Sequence, residues 1–95
     1  MKPVAFSPAA EADIDKIWDY SADRWGVDQA DSYTDEIRDA CYALVQGKKH
    51  GRSVEVLHGF QKYPCGAHMV YFLDYADRLE VVRILHQRQD AERHL

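Results

Sequence analysis

SPAAEADIDKIWDYSADRWGVDQADSYTDEIRDACYALVQG, residues 7–47, decides the fold. Ser7 followed by Pro8 is a helix start, because the Ser oxygen accepts an orphan backbone N–H and Pro has no N–H to leave unpaired. Ala10, Ile14, Ile17, Ser21 and Trp25 then recur at alternating four- and three-residue spacing, with Trp18 and Ala22 widening the stripe. Gly26 supplies the left-handed position that closes such a helix. Asp28 is the next N-cap candidate, and Ala30, Tyr33, Ile37, Ala40, Cys41, Leu44 and Val45 give a second stripe of the same period before Gly47 ends it. Two amphipathic helices joined by a link of about two or three residues fold back as an antiparallel hairpin. Their shared apolar face needs a sheet to cover it.

The flanks supply that sheet. Pro3 to Phe6 reads as a short strand before the first helix. Beyond the second, Gln46 to His58 is a polar loop with a local basic cluster, read as solvated because no strand precedes it to make a phosphate loop. Phe60 to Tyr63 is a weak strand closed by Pro64, Ala67 to Asp74 a strong one, and Tyr75-Ala76-Asp77 a hairpin turn into Leu79 to His86. The expected fold is α+β, ordered β-α-α-β-β-β, with the helical hairpin packed on one face of an antiparallel sheet and residues 1–95 forming a single domain. After His86 the apolar pattern stops, and a polar tail rich in Arg and His leaves the middle of the core.

Composition narrows the function. A chain of 95 residues buries a single, marginal core. No apolar run approaches the ~20 residues that span a bilayer, and the opening MKPVAFSPAAEAD has no signal-peptide pattern, so a cytoplasmic protein is expected. Cys41 and Cys65 lack the spacing of a metal site and read as free thiols, and no metal or cofactor is expected. Residues 11–39 carry ten acids against Lys16, Arg24 and Arg38, whereas residues 51–95 are balanced. A phosphate-binding protein carries a basic face, so direct nucleic-acid binding is not expected.

Two blocks carry a family resemblance. SPAAEADIDKIWDYSADRWGVDQADSYTDEI (residues 7–37) has a Ser, an Ala, an Asp-aliphatic pair, an aromatic, WG, then QA and a Tyr. GAHMVYFLDYADRLEVVRILHQRQDAERHL (residues 66–95) has a Gly/His strand, a hairpin, the run Arg83-Ile84-Leu85-His86, an Asp and a final His-Leu. In this order, over about two thirds of the chain, they resemble the ParE branch of the ParE/RelE toxin superfamily. The loop at 46–58 departs from the family pattern and keeps only Gly51-Arg52. The resemblance implies a RelE/ParE-like fold and the toxin of a type II toxin–antitoxin pair. ParE-like members inhibit DNA gyrase and are held in a hetero-oligomer with a ParD-like antitoxin, whereas RelE-like members cut messenger RNA on the ribosome.

Cleavage through the 2′-hydroxyl needs a base, cations for the developing phosphorane charge and an acid. RelE-like nucleases supply a tail Tyr or His and several Lys or Arg, but here no Tyr follows Tyr75, and Asp90 and Glu92 lie among the tail cations. The favoured reading is a non-enzymatic gyrase inhibitor, ahead of a RelE-like endoribonuclease and of an inactive relic that binds antitoxin and helps repress their promoter. The gyrase-contact candidates are Arg88, Arg93 and His94, which folding does not demand, with His86 and Arg83. Arg83 lies among apolar strand residues and must otherwise pair with an acid or a carbonyl. The antitoxin-contact candidates are Trp18, Tyr20, Trp25 and Tyr33, more aromatic surface than a two-helix stripe hides. The ladders Glu11, Asp15, Asp19, Asp23 and Asp31, Asp35, Asp39 place like charges at a spacing that costs ~0.2–0.5 kcal/mol per pair. They read as a solvated face or as a docking rail for a basic antitoxin segment, with Asp15, Asp19 and Asp35 as its contacts.

Overall fold

The computed structural model describes residues 1–95, in the order β1 (Val4–Phe6), α1 (Pro8–Trp25), α2 (Val27–Val45), β2 (Arg52–Ser53), β3 (Phe60–Cys65), β4 (His68–Asp74), β5 (Leu79–His86) and a single 3-10 turn (Ala91–Arg93). α1 begins as its sequence dictates: Ser7 is extended, its Oγ accepts the Ala10 N–H at 3.0 Å, and Pro8 takes the first helical position. Gly26 donates its N–H to Ala22 O to close α1 and, through its carbonyl, accepts the Ala30 N–H to open α2. One residue therefore makes the link, shorter than expected. Its φ of 93° and ψ of 168° fall in a region open only to glycine. Asp28 is not the cap; it lies in the first turn of α2, where its charge favours the positive end of the helix dipole. Trp18 Nε1 donates to Asp31 Oδ1 at 2.8 Å across the two helices.

The two helices pack on a five-stranded sheet of order β1-β5-β4-β3-β2. β2 to β5 run antiparallel, but β1 lies parallel to β5, which makes the sheet mixed rather than antiparallel throughout. Hairpin turns fix the directions of β3, β4 and β5; β1 reaches the sheet through two helices and is free to lie parallel. Residues 46–58 are not all loop, because β2 pairs with Gln61 and Lys62. The preceding Gly51 is packed so closely on Phe72 that a Cβ would lie 2.5 Å from its ring. β3 continues through Pro64, which pairs with Met69. β2 does not cover that part of β3, so Pro64 stands where the strand is an edge and a missing N–H is tolerated.

β1 pairs only with Leu79 to Val81, and α1 finishes the edge of β5 in its place. Ser7 donates its N–H to Val81 O at 2.9 Å and its hydroxyl to Val82 O at 2.6 Å, and Asp13 Oδ2 accepts the Ile84 N–H at 2.9 Å. At the same place the β4–β5 register slips, so that Tyr71 faces Arg83 while Phe72 faces Val81, and Val82 is the extra residue of a bulge. The bulge resets the alternation. Leu79 and Val81 before it and Ile84 after it all join the helix-side core with Ile14, Ile37 and Cys41. On the opposite face Val54, Tyr71 and Leu85 form a smaller cluster, roofed by Leu57, Ala91 and Leu95. The C-terminal tail is thus folded back onto the sheet and not free. No helix is long and apolar enough to cross a membrane.

Candidate functional site

A groove of about 520 Å³ opens between the helices and the end of the sheet where β4 begins and β5 stops. Helical spacing builds one wall: Lys16 and Tyr20, and Ile17 and Ser21, stand four residues apart on one face of α1, with Trp25 a turn further on. Gln29 and Tyr33 of α2 continue it, and Ala67, His68 and His86 close it from the sheet. At its mouth Tyr20 and Trp25 meet edge to face with ring centres 6.2 Å apart, and the Arg24 guanidinium lies 5.3 Å and 5.7 Å from the two rings. Trp25 is 62% exposed, against its place in the expected apolar stripe, because α1 outruns the sheet that covers Ile14 and Ile17.

His68 and His86 are Cα partners across β4 and β5, with ring centres 5.5 Å apart at 78°. Tyr33 OH lies 2.6 Å from His68 Nδ1 and accepts the Ala67 N–H at 3.0 Å. Its ring occupies the space above Gly66, where a Cβ would lie 2.6 Å away. Burial raises the Tyr33 pKa, and burial, followed by the charge of His86, lowers that of His68 against a smaller opposing pull from Asp13. The pair Tyr33 and His68 is therefore a neutral phenol beside a neutral imidazole. His86 Nδ1 accepts the Arg88 N–H at 3.2 Å, and the His86 N–H donates to Gln89 Oε1 at 2.8 Å, which fixes the turn after β5.

The expected site residues divide among three places. Tyr20, Trp25 and Tyr33 share the groove with His86, so candidates for two different partners meet on one surface. Trp18 is half-buried outside it and spends its N–H on Asp31. Arg83 is held structurally: Nε and Nη2 reach Asp13 Oδ2 and Oδ1 at 2.7 and 2.8 Å, and Nη1 reaches the His94 carbonyl at 3.2 Å. Arg88 stands at the rim beside Gly66 and His86. Arg93 and His94 are exposed on the docked tail, with Arg93 only 3.8 Å from Asp90. Asp15, Asp19 and Asp35 are exposed and make no ion pair, whereas Glu11 of the same ladder pairs with Arg38 at 3.4 Å.

Two residues escaped the sequence reading. Asp13 is buried on the inner side of α1, between Ala10 and Ile17 at helical spacing, and an acid inside an apolar stripe is itself a signal that a cation or backbone donors must lie opposite. His68 escaped as a partner of His86 because of the bulge: the register of Phe72 with Val81, continued without a slip, sets His68 opposite Leu85 instead of His86.

Residues 4–91 match the profile of a family described as "ParE toxin of type II toxin-antitoxin system, parDE". The chain is 40% identical over 91 residues to "Toxin ParE1" of Mycobacterium tuberculosis, covering 94% of this chain and 93% of that one. To "Toxin ParE1" of Caulobacter vibrioides it is 38% identical over 96 residues, covering 100% and 99%. Among solved structures, a chain of the chromosomal ParDE system from P. aeruginosa superposes with a TM-score of 0.79 at 21% identity, covering 90% of this chain and 96% of that one.

Proposed function

The chain belongs to the ParE toxins of type II toxin–antitoxin systems, and from that premise we propose that it inhibits DNA gyrase by binding, in the cytoplasm, and is neutralised by a ParD-like antitoxin. The observation that carries this reading is the division of labour among the basic residues. Arg83 is committed to Asp13, while Arg88, Arg93 and His94 stand exposed on a tail that the back of the sheet holds in place. Cations presented on an ordered segment suit an interface with a partner protein, where charge governs encounter and register. The antitoxin is assigned to the groove, whose aromatic mouth offers the apolar surface that an amphipathic segment covers.

One observation favours the nuclease reading: a phenol hydrogen-bonded to one imidazole, with a second imidazole ring 5.5 Å away, supplies the materials of acid–base catalysis. Against it, Arg83 is already neutralised by a carboxylate, which leaves Lys16 as the one permanent cation among the residues that line the groove, with Arg24 at the mouth stacked on Tyr20 and Trp25 and Arg88 at the rim. The deciding experiment adds the purified chain to relaxed plasmid, gyrase and ATP, beside a translation reaction scored for messenger cleavage. Loss of supercoiling with intact messenger is expected. Intact supercoiling with cut messenger replaces the proposal with catalysis by His68 and His86, and neither effect leaves an antitoxin-binding relic.

A further inference from the structure

The ten residues that line the groove include Lys16, His68 and His86 and no carboxylate, in a chain whose acids outnumber Lys and Arg by 16 to 12. The groove is thus a gap in an acidic surface. Both imidazoles have Nδ1 filled from within the protein. Tyr33 OH is 2.6 Å from His68 Nδ1 but 3.4 Å from the Cys65 carbonyl, so its proton goes to the ring, and the Arg88 N–H occupies Nδ1 of His86. A neutral imidazole that accepts at Nδ1 carries its proton on Nε2. Neither Nε2 has a partner within the protein, and since no enclosed side-chain nitrogen or oxygen lacks a partner, Nε2 of the half-buried His68 is open to the groove. A metal ion needs a lone pair at that atom; these rings present N–H donors instead.

We infer that His68, His86 and Lys16 form a subsite for a carboxylate, and that the antitoxin segment in the groove places an Asp or Glu side chain there, beside apolar residues that cover Tyr20 and Trp25. This deepens the antitoxin assignment above and rests on it. A carboxylate accepts from both imidazoles at once, and Lys16 supplies the counter-charge. Hydrogen bonds to a charged group are the strong ones, so removing one donor weakens binding about tenfold or more.

The test is calorimetric titration of the purified chain with its ParD-like antitoxin, for the wild type and for H86F, H86Q and K16Q. His86 and Lys16 are exposed, so these variants leave the core intact; H86F also removes the Nδ1 acceptor of the Arg88 N–H, and thermal melts check that the fold is kept. H86F is expected to bind about tenfold more weakly or worse. H86Q, which keeps an N–H donor, loses less. In a scan of the antitoxin, one Asp→Asn or Glu→Gln change is expected to weaken binding to the wild type and to cost little further against H86F, the mark of a direct pair. Undiminished affinity in H86F and K16Q, or no antitoxin acid coupled to His86, overturns the subsite and leaves antitoxin docking standing. Absence of any antitoxin binding overturns both. A third arm adds inorganic phosphate and a short single-stranded RNA to the chain with 15N-labelled histidine. If they shift the His68 and His86 ring signals and the antitoxin does not, the subsite belongs to a phosphate and the carboxylate inference fails.

Discussion

The two faces of the sheet are built by different means. Against the helices lies a cluster of eleven buried residues, supplied by periodic stripes on α1 and α2 and by alternating positions of β4 and β5. The other face buries only Val54, Tyr71 and Leu85, and it is roofed by single residues borrowed from a turn and from the tail. The thick core fixes the fold. The thin one fixes only where the tail lies, and the tail carries Arg88, Arg93 and His94. On the proposed function, the surface that meets gyrase therefore rests on the part of the molecule with the least hydrophobic support, and it can be disturbed without unfolding the rest.

Asp13 joins the two faces, and its loss is the largest expected effect. It accepts from Arg83 in bidentate fashion and from the Ile84 N–H, and Arg83 in turn holds the His94 carbonyl. Asp13 is only 8% exposed, so D13A leaves the Arg83 guanidinium with the His94 carbonyl but no counter-charge, leaves a strand-edge N–H unpaired, and is expected to cost about 3–5 kcal/mol in urea unfolding. The D13A/R83A double variant should cost less than the sum of the two single ones. Additive losses would mean that the faces are not coupled through this pair.

Next come substitutions that test thickness itself. I37A removes a side chain from the middle of the helix-side core and is expected to cost about 4 kcal/mol, near the top of the usual range. L85A empties a site whose roof is a short tail that can settle over the gap, and about 2 kcal/mol is expected. Equal losses would show that the back face is as firmly packed as the front. Smaller still in stability is the triple variant R88A/R93A/H94A. These side chains are exposed, and the one ion pair among them, Arg93 with Asp90, is a surface pair at 3.8 Å, so the unfolding free energy should stay within about 0.5 kcal/mol of the wild type. Supercoiling inhibition should nevertheless fall. Full inhibition by this variant would move the gyrase contact off the tail.

The same contrast explains how much could be read from the residues alone. α1 was legible to its ends because Ser7, Pro8 and Gly26 are local signals that act within one turn, and the core stripes of both helices follow from period. The back face has no period long enough to read: Val54 and Leu57 belong to the four-residue run Val54-Glu55-Val56-Leu57 inside a polar loop, and Ala91 and Leu95 are isolated apolar residues in a polar tail. The parallel direction of β1 is set by a crossover and not by any residue of β1. In the groove, Tyr20, Trp25 and Tyr33 were visible as aromatic excess, but the pairing of His68 with His86 was hidden by the single bulge residue Val82, which changes the face of every β5 residue beyond it. Asp13 was missed, although an acid at a position inside the apolar stripe of α1 is a local signal; its partners Arg83 and Ile84 lie about seventy residues away.

The smallest effect concerns protons, and its sign separates the free chain from its complex. Burial lowers the His68 pKa, with the charge of His86 adding to it and Asp13 opposing, while Tyr33 holds the ring's Nδ1. Above pH 6.5, the ordinary value, His68 is neutral in both the folded and the unfolded chain, and the contribution to stability is whole. As pH falls below that value the unfolded chain takes up the proton first, so stability declines until the native pKa is reached and is level beyond it. The urea midpoint of the wild type should fall through this window more than that of H68F, the difference isolating His68 from the carboxylates that titrate lower. A carboxylate seated between His68 and His86 reverses the sign, because it favours the charged ring, whose Nδ1–H then donates to Tyr33 OH while the phenol proton turns to the Cys65 carbonyl. Antitoxin affinity should then rise as pH falls through the same window, in the wild type and less so in H68F. Affinity that falls with the free chain's stability would mean that the groove binds its partner through apolar contact alone.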